Sequence, residues 1–463
     1  MLYHSTRGGA AGKTFEDVLL AGLAPDGGLY LPQHWPALEA DAWRALQNRP
    51  WEDVAVAVMA PYMGDFLSAD ELAGLIREAA ETFGHPAVTP LVQLGGNLWM
   101  LELFHGPTLA FKDVAMQILA RLMDIALARR DQHVTIIGAT SGDTGSAAIE
   151  AFRHSRRADI FILHPHGRVS DVQRRQMTTV DAPNVHNIAI EGDFDHCQAL
   201  VKAMFNDAPF RARMRLAGVN SINWGRILAQ IVYYATSALA LGAPDRAVSH
   251  TVPTGNFGDI LAGYAGRKMG LPIEQLVIAT NINDILHRAL STGRYEVTGV
   301  SPTTSPSMDI QVSSNFERLL FDAAGRDAQM IKRLMDSLAQ SGAFTIPEEV
   351  LQAIRGLFDS GRATEDEVVE EIARTHEECG LLVDPHTAVG LHVARQKAGA
   401  EAAMVSLATA HPAKFPDAVE KATGKRPPLP QRLAHIMEDT EHLSVLPASL
   451  DKVEAFIASR ASA

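Results

Sequence analysis

Cysteine is nearly absent: Cys197 and Cys379 are the only two in 463 residues. Two thiols cannot build a disulfide framework, nor a zinc cluster on their own. They fit a reducing compartment, so a cytoplasmic location is the expectation. Long apolar runs are also missing. The longest, near residues 231–243, is short and interrupted by Thr236 and Ser237, which excludes a spanning helix there. The first nine residues contain no apolar export signal. Positive charge is in deficit, with 41 Lys and Arg against 54 Asp and Glu, a net charge of −13. Such a chain repels nucleic acid and anionic membrane as a whole, so neither is an expected partner. Any anionic ligand must be held by a local pocket.

What is present is ample apolar material. Hydrophobic residues make up 47% and charged residues 21% of the chain, which argues for a packed core and against global disorder. The length suggests two to four domains. Residues 1–90 read as mostly helical. Thr14 with Asp17 and Ser68 with Glu71 are helix starts, each a capping hydroxyl followed three residues on by an acid. Leu72, Leu75, Ile76 and Ala79 then recur at helical spacing. Gly84, Pro86 and Pro90 end this region.

A hairpin follows, 91–94 and 98–104 about the Gly95-Gly96-Asn97 turn. Strands are expected at 134–137, 160–163, 187–190, 219–222, 249–252, 277–280 and 404–408. Helices such as 114–128 and 227–241 lie between them. The alternation predicts an α/β fold with mainly parallel sheets, in two lobes spanning 91–230 and 231–463. Residues 345–378 return to helix, with Pro347 near one start and Thr364/Glu367 as another capping pair.

Three polar or glycine-rich loops sit where a strand region passes into a helix, the position where ligands collect in open α/β sheets. His105 to Asp113 reads HGPTLAFKD and opens a helix at Lys112. A lysine at a helix N-terminus among apolar neighbours is pushed toward the neutral amine, which can form a Schiff base or act as a base. The plainer alternative is an exposed lysine paired with Asp113. Residues 140–145, TSGDTG, present small residues and hydroxyls suited to a carboxylate or phosphate, or merely cap a helix. Residues 253–258, PTGNFG, form an anion cradle without a lysine, or a tight turn.

Two motifs are set aside. Gly8 to Thr14 contains GKT, but Arg7 stands where a P-loop requires glycine, and no strand is expected before it. His164 and His166 lack a second ligand cluster, so no metal is expected.

Taken in order, the segments resemble the threonine synthase family of bacteria and fungi. They are YHSTR from Tyr3, PDGGLYLP from Pro25, HGPTLAFKD, ATSGDTGS from Ala139, SINWGR from Ser221, PTGNFGD from Pro253, SMDIQVSSNFER from Ser307, DPHTA from Asp384 and TAHP from Thr409. The lysine segment alone resembles only the wider fold-type II class of pyridoxal-phosphate enzymes, the tryptophan synthase β-like fold. The resemblance implies pyridoxal 5'-phosphate held by Lys112 as an internal aldimine. It implies Gly255, Asn256, Phe257 and Gly258 around the cofactor phosphate, and Thr409 at the pyridine nitrogen. It implies Thr140, Ser141 and Thr144 at the substrate carboxylate, and Ser221, Asn223 and Arg226 at the substrate phosphate.

The implied reaction converts O-phospho-L-homoserine and water to L-threonine and phosphate, with Lys112 as acid and base, in a monomer. Alternatives at this point are a relative that eliminates phosphate to give 2-oxobutyrate and ammonia, a dehydratase acting on free serine or threonine, and a binding module that has lost catalysis. The resemblance gives no role to the stretch from Ser307 to Arg318.

Overall fold

Short apolar strands that alternate with helices are covered on both faces, and this chain builds two sheets in that way. In the computed structural model, which describes residues 1–399 and 401–462, one sheet has six strands. Their order is Phe358–Arg362, Ile273–Thr280, Val248–Pro253, Ala403–Ala408, Leu98–Glu102 and Leu91–Gly95. The first five run parallel, and the last joins by the expected antiparallel hairpin. The second sheet is parallel throughout, in the order Ser444–Pro447, Val185–Glu191, Ala158–Pro165, Val134–Ala139 and Leu216–Ala217.

The sheets do not respect the divisions expected from the order of the chain. The hairpin at 91–102 belongs to the sheet built mostly from residues after 231, and Ser444–Pro447 extends the sheet of the middle segment. A strand pairs where its edge is free, and sequence order does not reveal that edge.

Two expectations fail locally. Residues 219–222 are not a strand; only Leu216–Ala217 pairs. The carbonyls that a ladder would use are taken by side chains: Arg226 donates to Val219, Asn315 to Ser221 and Arg318 to Ile222. Within 345–378, expected to be helical, Phe358–Arg362 is instead an edge strand paired with Ile273–Thr280.

The N-terminal region is mostly helical, with helices Phe15–Ala21, Ala40–Ala45, Trp51–Met63 and Ala69–Ala80. All three predicted capping pairs form full capping boxes. A short antiparallel pair, Tyr3–Ser5 with Tyr30–Pro32, was not anticipated. It puts a strand before the GKT motif, yet Arg7 there is paired to Glu317 at 2.8 Å, and the Thr14 hydroxyl accepts from Asp17 N to cap a helix.

This region packs on the central helix Trp224–Ala240, which is almost wholly buried between Trp51–Met63, Lys112–Arg129 and Gly258–Lys268. Trp224 anchors the contact among the rings of Tyr3, Trp35 and Tyr62. Burying a side chain of that size stabilises by about 3 kcal/mol or more. Two residues further along, the same rigid helix carries Arg226.

Candidate active site

The lysine loop is fixed before the helix begins. Asp113 accepts from Thr108 N at 2.8 Å and from Thr108 Oγ1 at 2.5 Å. Leu109 adopts φ +63°, a conformation a bulky residue takes only when its surroundings enforce it. Phe111 N donates to Thr409 O at 2.8 Å, and His411 N donates to Leu109 O at 3.0 Å. The loop is thereby laid antiparallel along the chain just beyond strand Ala403–Ala408, which brings Thr409 beside the start of helix Lys112–Arg129.

Lys112 is buried, and Asp113 is turned away from it, so the pairing of those two neighbours is excluded. Its Nζ lies 3.4 Å from Ser307 Oγ and 3.5 Å from Asp143 Oδ2. Burial lowers the affinity of the Lys112 amine for a proton; Asp143 opposes this, and the charges of Lys414 and Arg226 add to it. Burial also raises the Asp113 carboxyl to about 6, against the hydrogen bonds from Thr108.

The loop at 140–145 supplies Asp143. Thr140 Oγ1 accepts from Gly142 N at 3.0 Å and Gly145 N at 2.9 Å, so that hydroxyl shapes its own loop. Gly142 has φ +145°, and a side chain there would strike Gln173. Ser141 and Thr144 are half-buried. Helix Asp143–Phe152 has no side-chain cap.

Helix Gly258–Lys268 likewise has no side-chain cap, and Phe257 before it is left-handed at φ +62°, its ring held between Phe316 and Phe358. A Cβ on Gly255 would lie 2.7 Å from the Ser307 carbonyl oxygen, so only glycine admits that approach. Asn315 donates from its side chain to both Asn256 O (2.9 Å) and Ser221 O (3.1 Å), joining the cradle to the segment before Arg226.

Arg226 is buried and has no carboxylate at ion-pair distance among the described residues. Its Nη1 donates to Val219 O at 3.1 Å, its Nε has no partner, and burial pushes it down to about 10. Asn223 is spent within the protein: Nδ2 donates to Leu19 O at 2.9 Å and Oδ1 accepts from Gly225 N at 2.9 Å.

Three family models match in succession: threonine synthase N terminus over 2–80, pyridoxal-phosphate dependent enzyme over 83–409, and threonine synthase, C-terminal over 387–457. A threonine synthase of Pseudomonas aeruginosa is 53% identical over 459 residues, covering 99% of this chain and 98% of that one. The chain belongs to the threonine synthase family of pyridoxal-phosphate-dependent enzymes. The crystal structure of a PLP-bound threonine synthase from Brucella melitensis superposes with a TM-score of 0.99 at 58% identity, covering both chains fully. The yeast threonine synthase superposes at 0.94 with 38% identity, covering 99% of this chain and 98% of that one. The fold is accordingly the fold-type II architecture, and the cofactor is pyridoxal 5'-phosphate.

The residues present fit that cofactor. A buried amine biased toward its neutral form stands beside an uncapped helix start whose glycine opening excludes a side chain. Threonine synthase motifs alone did not reveal the strap that holds these parts together. Ser307 bridges Lys112 and Asp143, its backbone N donates to His386 Nε2 at 3.2 Å, and His386 Nδ1 is 2.6 Å from Asp384 Oδ2. Ser313 donates to Gly255 O at 2.7 Å, and Arg318 is buried while donating to the carbonyls of Tyr30 and Ile222. The stretch left without a role is therefore the clamp on the site. Serines and asparagines spaced without period give no sign of such bonds in the sequence.

The set-aside histidines lie apart in environment, His164 buried at the end of its strand and His166 exposed. No helix of the described residues is long and apolar enough to cross a membrane.

Proposed function

We propose that this chain converts O-phospho-L-homoserine and water to L-threonine and inorganic phosphate. The observation that carries the reading is Arg226, a buried guanidinium with a free Nε and no carboxylate among the described residues, close enough to Lys112 to weigh on its charge. A buried cation left open in this way suits a second anion besides the cofactor phosphate, and guanidinium matches phosphate oxygens in pairs. Family membership supports the same substrate.

When bound, pyridoxal phosphate supplies an electron sink for the carbons next to the substrate amine. Lys112 would hold it, and the amides of Gly255, Asn256, Phe257 and Gly258 would receive its phosphate at a helix start whose dipole favours an anion. Thr409 would offer a neutral hydroxyl to the pyridine nitrogen, which would moderate the sink. Thr140, Ser141 and Thr144 form the loop for the substrate carboxylate, with Thr140 shaping it. Arg226 and Ser221 take the substrate phosphate, and Asn223 fixes the helix start that presents Arg226. Lys112 Nζ removes the α and then a β proton. Phosphate departs from the γ carbon, which gains a proton, and water adds at the β carbon. The protein works as a monomer in the cytoplasm.

The test is product stoichiometry. Purified, cofactor-loaded protein given O-phospho-L-homoserine is expected to release threonine and phosphate in equal amounts. Phosphate with 2-oxobutyrate in place of threonine would overturn the water-addition step, and no phosphate at all would overturn the substrate.

A further inference from the structure

Two buried lysines share one buried carboxylate. Lys414, in the turn Pro412–Lys414, is fully buried and its Nζ lies 2.8 Å from Asp143 Oδ1. The same ammonium donates to Thr108 O at 2.8 Å, within the lysine loop. Lys112 reaches the other oxygen of Asp143 at 3.5 Å. The remaining capacity of Asp143 goes to Gln173 Nε2 at 2.9 Å and Ser307 Oγ at 3.3 Å.

One buried carboxylate compensates one buried ammonium, not two, because each uncompensated ion keeps its desolvation penalty. Attraction falls with distance, so the closer and better hydrogen-bonded Lys414 retains the charge. The other groups facing Lys112 do not restore the balance. Arg226 from the central helix is a third cation. His386, from helix Pro385–Lys397, accepts at Nε2 from Ser307 N and bonds Asp384 through Nδ1, the pattern of a neutral ring. Asp113, the neighbour in sequence, does not face Lys112: its carboxylate is turned away and engaged with Thr108.

We infer that Lys414 is a positioning residue for the reaction: it claims the Asp143 carboxylate and thereby leaves Lys112 as a free amine able to attack the cofactor's aldehyde. This rests on Lys112 being the cofactor lysine. In the attack the nitrogen lone pair forms the new bond to carbon, the carbon–oxygen bond breaks, and the aldehyde oxygen leaves as water with the two protons that the amine gives up. Without Lys414, the charge of Asp143 would hold Lys112 as an ammonium, which has no lone pair to give.

The experiment follows covalent uptake of pyridoxal phosphate by the full chain freed of cofactor, read by visible absorbance as a function of pH. Lys414→Met is expected to move the midpoint of the rate profile upward by about 1–3 pH units, slowing uptake at neutral pH about tenfold to a thousandfold. Lys414→Arg, which keeps the charge, is expected to keep the wild-type midpoint. Adding Asp143→Asn to Lys414→Met is expected to move the midpoint back down. A merely structural role would lower stability without moving any midpoint.

An unchanged midpoint in folded Lys414→Met overturns the inference. Should that variant fail to fold, Lys414→Arg decides: a raised midpoint with the charge kept overturns it, and an unchanged one supports it. Lys112→Ala separates the two levels. Covalent uptake persisting in that variant would sink the reading of Lys112 itself, whatever Lys414 does.

Discussion

A guanidinium taken out of water is costly unless something answers its charge. Among the described residues Arg226 has one carbonyl and no carboxylate, so it is held ready at the expense of the ligand-free protein. Arg226→Gln is therefore expected to cost about 2–5 kcal/mol of substrate binding, seen as a higher KM. In urea unfolding without ligand, the same variant is expected to be as stable as the wild type or more so. A clear loss of ligand-free stability would show that the arginine serves the fold instead. The sequence names Lys112 from the chemistry of its own loop and Arg226 through the resemblance of the SINWGR segment, and the structure buries both side chains. Asp143 and Lys414 were not legible there, because their meaning lies in a contact between residues 271 positions apart along the chain. Asn223 was legible as part of the same motif, but both ends of its side chain are bonded within the protein.

Elements were legible where a local rule decides them. Each capping pair named from the sequence caps its helix, since a hydroxyl and an acid three residues apart need no distant partner. Phe358–Arg362 escaped because a short edge strand with one large apolar residue carries little pattern. Its Gly361 shows what decides it: a Cβ there would lie 2.7 Å from Val393 Cγ1 on the covering helix. Gly361→Ala is expected to destabilise by about 1–3 kcal/mol in urea unfolding, and an unchanged midpoint would mean that the helix can yield.

Where helices Trp224–Ala240 and Gly258–Lys268 pack, Asp259 is buried, one oxygen accepting from Tyr233 and Tyr234 and the other without a partner. Burial raises it from 3.8 to about 7, against the two tyrosine donors. A folded pKa above the unfolded one means that this group's contribution is full below pH 3.8 and is lost as pH rises to about 7. Relative to Asp259→Asn, the wild type is expected to lose stability across that window, by up to about 1.4 kcal/mol per pH unit. Parallel stability curves for the two proteins would contradict it.

At the scale of the whole molecule, the α/β class followed from alternation, whereas the sheet membership of the hairpin and of Ser444–Pro447 did not. Edges are filled by whichever segment returns to them, and that choice is tertiary. The same long-range return lays the lysine loop against Thr409 and drapes the Ser307–Arg318 strap across the cradle. The site thus exists only in the assembled chain. In the proposed reaction phosphate leaves the γ carbon and water adds at the β carbon. The direct test is turnover of O-phospho-L-homoserine in oxygen-18 water, with mass analysis of both products. Label in the threonine hydroxyl and none in the released phosphate is the expected result. Label in the phosphate would mean attack at phosphorus, and would contradict the account.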